Sequence, residues 1–196
     1  MSRWRNGAYN DMVVGLLGLQ GAFLDHIPHF RRLGVKHTIV RDAQGLGAID
    51  RLVIPGGEST VMTKFLKEFG MVTPLQEQIT AGMPVWGVCA GAILLSREVD
   101  GNPGPLNALP VGTTRNAYGR QINSSQRWID IPLFDRNRYP AIFIRAPKIL
   151  DLDHRVTIHA KLGDDPVFVQ YDRILATTFH PELNSDDLFH RYFLSL

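Results

Sequence analysis

The chain has 196 residues, 44% of them hydrophobic and 20% charged, with a formal net charge of +2. A chain of that size buries roughly 70% of its unfolded surface, so it needs neither disulfide nor metal to fold. The single cysteine excludes an internal bridge and points to a reducing compartment, most simply the cytoplasm. Its lysines and arginines are scattered, which argues against nucleic acid or a membrane surface as partner, and no apolar run approaches the ~20 residues of a membrane helix.

Residues 1–11 are polar and read as a disordered extension, with Met12 an alternative initiator and no signal peptide ahead of the first apolar run. Residues 12–196 read as one domain. Val13–Leu19 is a short strand, followed by helical spacing through Phe23, Ile27, Phe30 and Leu33 that Gly34 stops. Thr38–Val40 and Arg51–Ile54 are two further strands. The segment from Thr60 to Gln78 reads as helical, with a break or new start at Pro74. Pro84–Val88 is a buried strand and Ala92–Leu95 opens another helix. Alternating apolar strands and amphipathic helices predict an α/β fold with a mostly parallel central sheet flanked by helices. The second half carries β-type runs at Trp128–Ile131, Ala141–Ile144, Val156–Ile158, Val167–Val169 and Ile174–Thr178, read as partly antiparallel additions to the same sheet. A last helix is expected over Ser185–Leu194.

Gly87-Val88-Cys89-Ala90-Gly91 follows an apolar strand and precedes an apolar helix start, which is the cysteine form of the G-x-S-x-G nucleophile elbow. Small flanking residues permit the tight turn, and the helix start directs N–H groups at the sulfur, favouring thiolate. The N–H of Ala90 is then placed for an oxyanion. A free cysteine is ordinarily a small buried hydrophobe; the elbow context reverses that expectation for Cys89.

A cysteine nucleophile needs a base, and the base needs an orienting group. Among seven histidines only His180 has a carboxylate two residues on, at Glu182, on the same side of an extended backbone. His26 and His29 read as exposed or capping residues on the first helix, and His37, His154, His159 and His190 as surface residues. Pro55-Gly56-Gly57-Glu58-Ser59-Thr60 joins a strand to a helix, and its glycines allow unusual backbone angles and close ligand approach. Ser59 or Thr60 is equally suited to capping that helix, and the loop lacks the lysine of a nucleotide-binding P-loop.

Together these segments resemble the class I (triad-type) glutamine amidotransferases and, more narrowly, the glutaminase subunit of pyridoxal 5′-phosphate synthase. The narrower resemblance is carried by Gly18–Gly21, Pro55–Thr60, Gly87–Leu95, Arg115–Gln121, Phe143–Pro147 and His180–Leu183. It implies a flavodoxin-like three-layer fold, with Cys89 as nucleophile, His180 as general base and acid, and Glu182 as its orienter. It also implies that Gly57, Glu58, Ser59, Arg115, Ile144 and Arg145 hold L-glutamine, and that Gly57 and Ala90 form the oxyanion hole. No cofactor or metal is implied. The ammonia released would pass to a (β/α)₈-barrel synthase subunit in a large hetero-oligomer. That subunit would make pyridoxal 5′-phosphate from ribose 5-phosphate and glyceraldehyde 3-phosphate.

Chemically, a free amino acid calls for an anion, which Glu58 can supply, and for cations, which Arg115 or Arg145 can supply. Read without the resemblance, each arginine is an ordinary surface charge. The Gly-, Pro- and Asn-rich stretch from Val99 to Leu109 reads as a variable loop away from the site. Two rivals are another cysteine enzyme, either a different amidotransferase subunit such as the histidine-biosynthesis glutaminase or a related cysteine hydrolase, and a silent interaction module. Arg115–Gln121 and Phe143–Pro147 argue against the first, and an intact Cys89, His180 and Glu182 against the second.

Overall fold

The computed structural model describes residues 9, 11–115 and 124–196. Most of the predicted extension, and all of the Arg115–Gln121 segment after Arg115 itself, lie outside those residues.

In chain order, β1 (Val13–Leu17) leads through a 3₁₀ turn at Phe23–His26 to α1 (Ile27–Arg32), which Gly34 ends at φ 69°. After β2 (Lys36–Val40) comes the short α2 (Ala43–Leu46), capped by the Asp42 carboxylate accepting from the Gly45 N–H. β3 (Arg51–Ile54) precedes α3 (Ser59–Glu68) and α4 (Val72–Thr80). The break between those helices falls at Gly70, at φ 63°, rather than at Pro74. Glycine relieves the steric cost of a left-handed terminator, while Pro74 sits in the first turn of α4, where a missing N–H costs nothing. β4 (Val85–Val88) then runs directly into α5 (Ala90–Leu95), which starts two residues earlier than expected.

The second half supplies β5 (Ser96–Val99), β6 (Asn102–Pro103), β7 (Leu109–Thr114), β8 (Ser124–Ile131), β9 (Arg136–Ile144), β10 (Lys148–Leu150), β11 (Thr157–Leu162), β12 (Asp165–Tyr171) and β13 (Ile174–Thr177). The final helix, α6, covers only Leu188–Leu194.

Among the described residues, the main sheet has seven strands in the order β11-β12-β13-β4-β3-β1-β2. β13, β4, β3, β1 and β2 are mutually parallel, and β12 and β11 add antiparallel at one edge. The remaining β runs do not join it. β10, β7, β5 and β6 form a separate four-stranded sheet, and β8 with β9 a two-stranded one. The expectation of a single enlarged sheet is corrected on this point: local β propensity does not specify a pairing partner.

Side chains alternate between two cores, one on each face of the main sheet. Val14, Leu16, Val53, Trp86 and Val88 point to one, with Phe168, Phe179, Phe189 and Phe193. Leu17, Leu52, Ile54 and Val85 point to the other, with Met62, Leu66, Leu75 and Leu94. Burial on both faces is why the parallel strands read as unbroken apolar runs. Each fully buried side chain of this kind contributes about 2 kcal/mol.

The parallel strands share one orientation, so the loops leaving their C-terminal ends gather in one place. These are Gly18–Ala22 after β1, Pro55–Glu58 after β3, Cys89 after β4 and Thr178–His180 after β13. Open α/β sheets place their sites in such crevices.

Candidate active site

Cys89 stands between β4 and α5 with φ 50° and ψ −101°, a conformation costly for any residue with a side chain. The surroundings enforce it. A Cβ on Gly87 would come 2.6 Å from the backbone of Gly91, and one on Gly91 would come 2.1 Å from the Ile54 carbonyl oxygen. The two flanking glycines therefore serve close packing of strand, elbow and helix. The Cys89 N–H donates to the Thr177 carbonyl at 2.7 Å, fixing the elbow to the end of β13.

That tie explains how distant residues meet. Val88 is paired in register with Thr177 across the parallel β4–β13 ladder, so the chain leaves both strands side by side. His180 lies three residues beyond Thr177 and donates its N–H to the Ile142 carbonyl at 2.8 Å. Its Nδ1 lies 2.7 Å from Glu182 Oε1. The route differs from the expected extended geometry: the chain turns into a 3₁₀ helix at Pro181–Leu183, and this turn brings the carboxylate back to the ring.

Burial alone disfavours a charged imidazole at His180. Contacts with the Cys89 side chain and with Glu182 outweigh it and raise the His180 pKa. Burial likewise opposes ionisation of Glu182 and is the largest single influence. The hydrogen bond from His180, the electrostatics of His26 and His180 and a backbone hydrogen bond together outweigh it, and the carboxyl pKa is lowered. The result is an imidazolium held between a carboxylate and the cysteine. Apart from that contact with Cys89, Nε2 of His180 is buried without a hydrogen-bond partner among the described residues. The Cys89 Sγ sits 3.7 Å from the Ile144 carbonyl oxygen.

These groups open on a cavity of about 300 Å³. Gly57, Glu58, Ser59, Ala90, Arg115, Ile144 and Arg145 all line it, together with Cys89 and His180, whereas Glu182 is buried behind the ring. Every predicted site residue is thus at the cavity or directly supporting it. Gly56 and Gly57 are needed for proximity rather than for unusual angles, since neither has a positive φ. A Cβ on Gly56 would come 2.5 Å from His180 Cε1, and one on Gly57 2.5 Å from Gln20 Oε1. The Gly56 carbonyl accepts from the Ala22 N–H at 2.9 Å, so across the trans peptide the Gly57 N–H points the opposite way. Neither Ser59 nor Thr60 caps α3. Glu58 is the cap residue, without a side-chain capping bond, and the Thr60 hydroxyl donates to Glu58 Oε1 at 3.0 Å.

Several participants escaped the sequence reading. Gln20 lines the cavity and its Oε1 accepts from the Glu58 N–H at 2.8 Å, pinning the glycine loop. Asp100, in the stretch read as remote from the site, grips Arg115. His26 and His29, read as exposed or capping, and His190, read as a surface residue, are all buried. His29 Nε2 donates to the Glu182 carbonyl at 2.9 Å, and its Nδ1 lies 2.8 Å from Asp187 Oδ1, which also binds Arg32. His29 stacks on His190 at 3.9 Å between centroids, and His190 Nε2 meets His26 Nδ1 at 3.0 Å. Burial lowers the pKa of His26 to about 4 and that of His190 well below normal, so this pair is neutral. Among the described residues no such cluster is arranged to hold a metal ion. Of the remaining histidines His154 is exposed, while His159 is half-buried against Gln170 and Phe168.

Comparison with known proteins identifies the class first. A solved structure described as a glutamine amidotransferase superposes with a TM-score of 0.87 at 38% identity, covering 93% of this chain and 97% of that one. A second glutamine amidotransferase, from Thermotoga maritima, shares the fold at a TM-score of 0.63 and 16% identity, covering 95% of this chain and 83% of that one. The chain belongs to the SNO glutamine amidotransferase family, whose model matches residues 16–196. It is 44% identical over 186 residues to the pyridoxal 5′-phosphate synthase subunit PdxT of Thermotoga petrophila, covering 94% of this chain and 99% of that one. It is 42% identical over 189 residues to the subunit of the same name from Dehalococcoides mccartyi, covering 94% and 97%.

Proposed function

We propose that the chain is the glutaminase subunit of a pyridoxal 5′-phosphate synthase, hydrolysing L-glutamine to L-glutamate and ammonia through a thioester on Cys89. The observation that carries this reading is the strained Cys89 elbow beside a His180–Glu182 pair 2.7 Å apart, opening on a cavity that also holds two arginines and a glutamate.

The Cys89 sulfur, its proton passed to His180, attacks the side-chain amide carbon of glutamine. Charge developing on the amide oxygen is met by the N–H groups of Gly57 and Ala90. His180, kept protonated by Glu182, gives its proton to the departing nitrogen, and ammonia leaves. A water then loses a proton to His180, attacks the thioester carbon, and releases glutamate with the thiol restored. The α-carboxylate of the substrate pairs with Arg115 or Arg145 and the α-ammonium with Glu58, while Ser59 and Ile144 complete the wall.

Ammonia passes to the synthase subunit, a (β/α)₈ barrel, in a cytoplasmic hetero-oligomer that builds the coenzyme in vitamin B6 synthesis. The names of the relatives support the assembly, and the family supports the chemistry. The test is ammonia release from glutamine with and without the synthase subunit. Activity is expected with the partner and is lost in Cys89→Ala; no release from folded protein under either condition would refute the glutaminase.

A further inference from the structure

Asp100 lies in a segment that family motifs leave unconstrained, yet it binds Arg115, which lines the cavity, through two hydrogen bonds. It occupies the first corner of a two-residue turn between β5 and β6, with Asp100 at φ 49° and Gly101 at φ 77°. Two consecutive positive φ values define the type I′ hairpin turn, for which Asp-Gly is a preferred pair. The residue is then pinned from three directions. Its N–H donates to the Thr113 carbonyl at 2.9 Å, and its carbonyl accepts from Asn102 Nδ2 at 3.1 Å. Its carboxylate takes the Arg115 backbone N–H on Oδ1 at 2.9 Å and Arg115 Nε on Oδ2 at 2.6 Å.

The pattern of that grip is informative. A carboxylate satisfying an arginine for its own sake takes a two-pronged fork of guanidinium N–H groups. Asp100 instead spends one oxygen on the backbone, so the Nη1–Nη2 edge of Arg115 has no hydrogen-bond partner among the described residues. Arg115 itself lines the cavity that contains Cys89 and His180. The backbone N–H of Arg115 first, and its guanidinium next, hold the Asp100 carboxyl below its usual pKa despite some burial, so the anion persists across the working pH range.

We propose that Asp100 is a positioning residue that fixes Arg115 by Nε and presents its Nη edge to the α-carboxylate of glutamine. This rests on the reading of the cavity as a glutamine site with Arg115 at the carboxylate. Asp100 does not touch the substrate; it selects an amino-acid substrate by removing the rotational freedom of the cation that reads it.

The test is steady-state glutamine hydrolysis with the synthase subunit present, for Asp100→Asn, Arg115→Ala and the double variant. Asparagine suits the same turn, and unfolding midpoints of each variant check the fold. Asp100→Ser, which shortens the side chain without touching the Asn102 contact, serves as the second variant. The pair is about a third exposed and so screened by solvent, which sets the expected size. Asp100→Asn should raise KM about three- to tenfold with kcat within about twofold, and should have no further effect in the Arg115→Ala background. Arg115→Ala raising KM while Asp100→Asn leaves it unchanged or lowers it would overturn the role of Asp100 alone. An unchanged KM in Arg115→Ala would instead remove Arg115 from the carboxylate, and the proposal with it.

Discussion

His29 donates from Nε2 to the backbone carbonyl of Glu182 across 153 residues of sequence, at 2.9 Å and out of contact with water. The residue proposed to orient His180 is therefore itself anchored, through its backbone carbonyl, by a helix near the opposite end of the chain. His29→Ala leaves that carbonyl unpaired in the interior and separates Asp187 from one of its partners. A destabilisation of about 2–3 kcal/mol is expected, with kcat for glutamine falling about tenfold and KM little changed. His29→Gln, which can still donate at that position, should recover most of both. Denaturant melts and steady-state kinetics measure the two effects side by side, and full activity in His29→Ala would show the carbonyl needs no such support.

Gly56 and His180 pack so closely that one methyl group separates the proposed triad from a displaced one. A Cβ at Gly56 would fall 2.5 Å from His180 Cε1 and 3.1 Å from Nδ1. Gly56→Ala forces either the ring off Glu182 or the loop away from the ring, and displacement of the ring is expected because its Cε1 is the nearest atom. A fall in kcat of about a hundredfold is expected, the size seen when general acid–base catalysis is lost. A variant with near-normal kcat would mean that the loop, not the ring, gives way.

Acid should loosen the fold before carboxylates titrate. His26, with a pKa near 4 against 6.5 unfolded, and His190, also lowered well below its normal value by burial, stay neutral in the native state while the unfolded chain gains protons. Their contribution is fully present above pH 6.5 and is lost as pH falls towards the native values. His180 works in the opposite window. Its raised pKa stabilises the fold below pH 6.5 and is lost only as pH rises, so it does not mask the acid effect. Between pH 6.5 and 5 the two buried rings together should remove about 2–3 kcal/mol. Urea midpoints across that range measure the slope, and His190→Gln should roughly halve it. A flat profile in the unsubstituted protein would contradict the neutral pair.

The histidines show where sequence reading succeeded and where it stopped. His180 was legible because its partner lies two residues away and the preceding run is plainly a strand. His26, His29 and His190 carried no such mark. A polar residue at a helical position looks the same whether it faces water or a stacked ring 3.9 Å away. Asp100 was missed for a related reason, since an Asp-Gly turn announces a hairpin but not what its carboxylate will meet. Of the second-half strands, β8, β9, β11, β12 and β13 were found in the sequence, while β5, β6, β7, β10 and the division among three sheets were not, because pairing depends on side-chain packing rather than on propensity.

The sequence by itself determined the elbow at Cys89, the His180–Glu182 pair, the glycine loop at Gly56–Gly57 and the alternation that makes a parallel sheet. Each is a short-range pattern whose cause is local: steric freedom at glycine, strand and helix periodicity, reach between neighbouring side chains. Tertiary structure alone decided that Cys89 and His180 share one crevice, through the Val88–Thr177 register, and that His29, Gln20 and Asp100 support it. Those contacts join residues 15 to 153 positions apart, and only a packed core with its buried hydrogen bonds satisfied selects among so many possible partners.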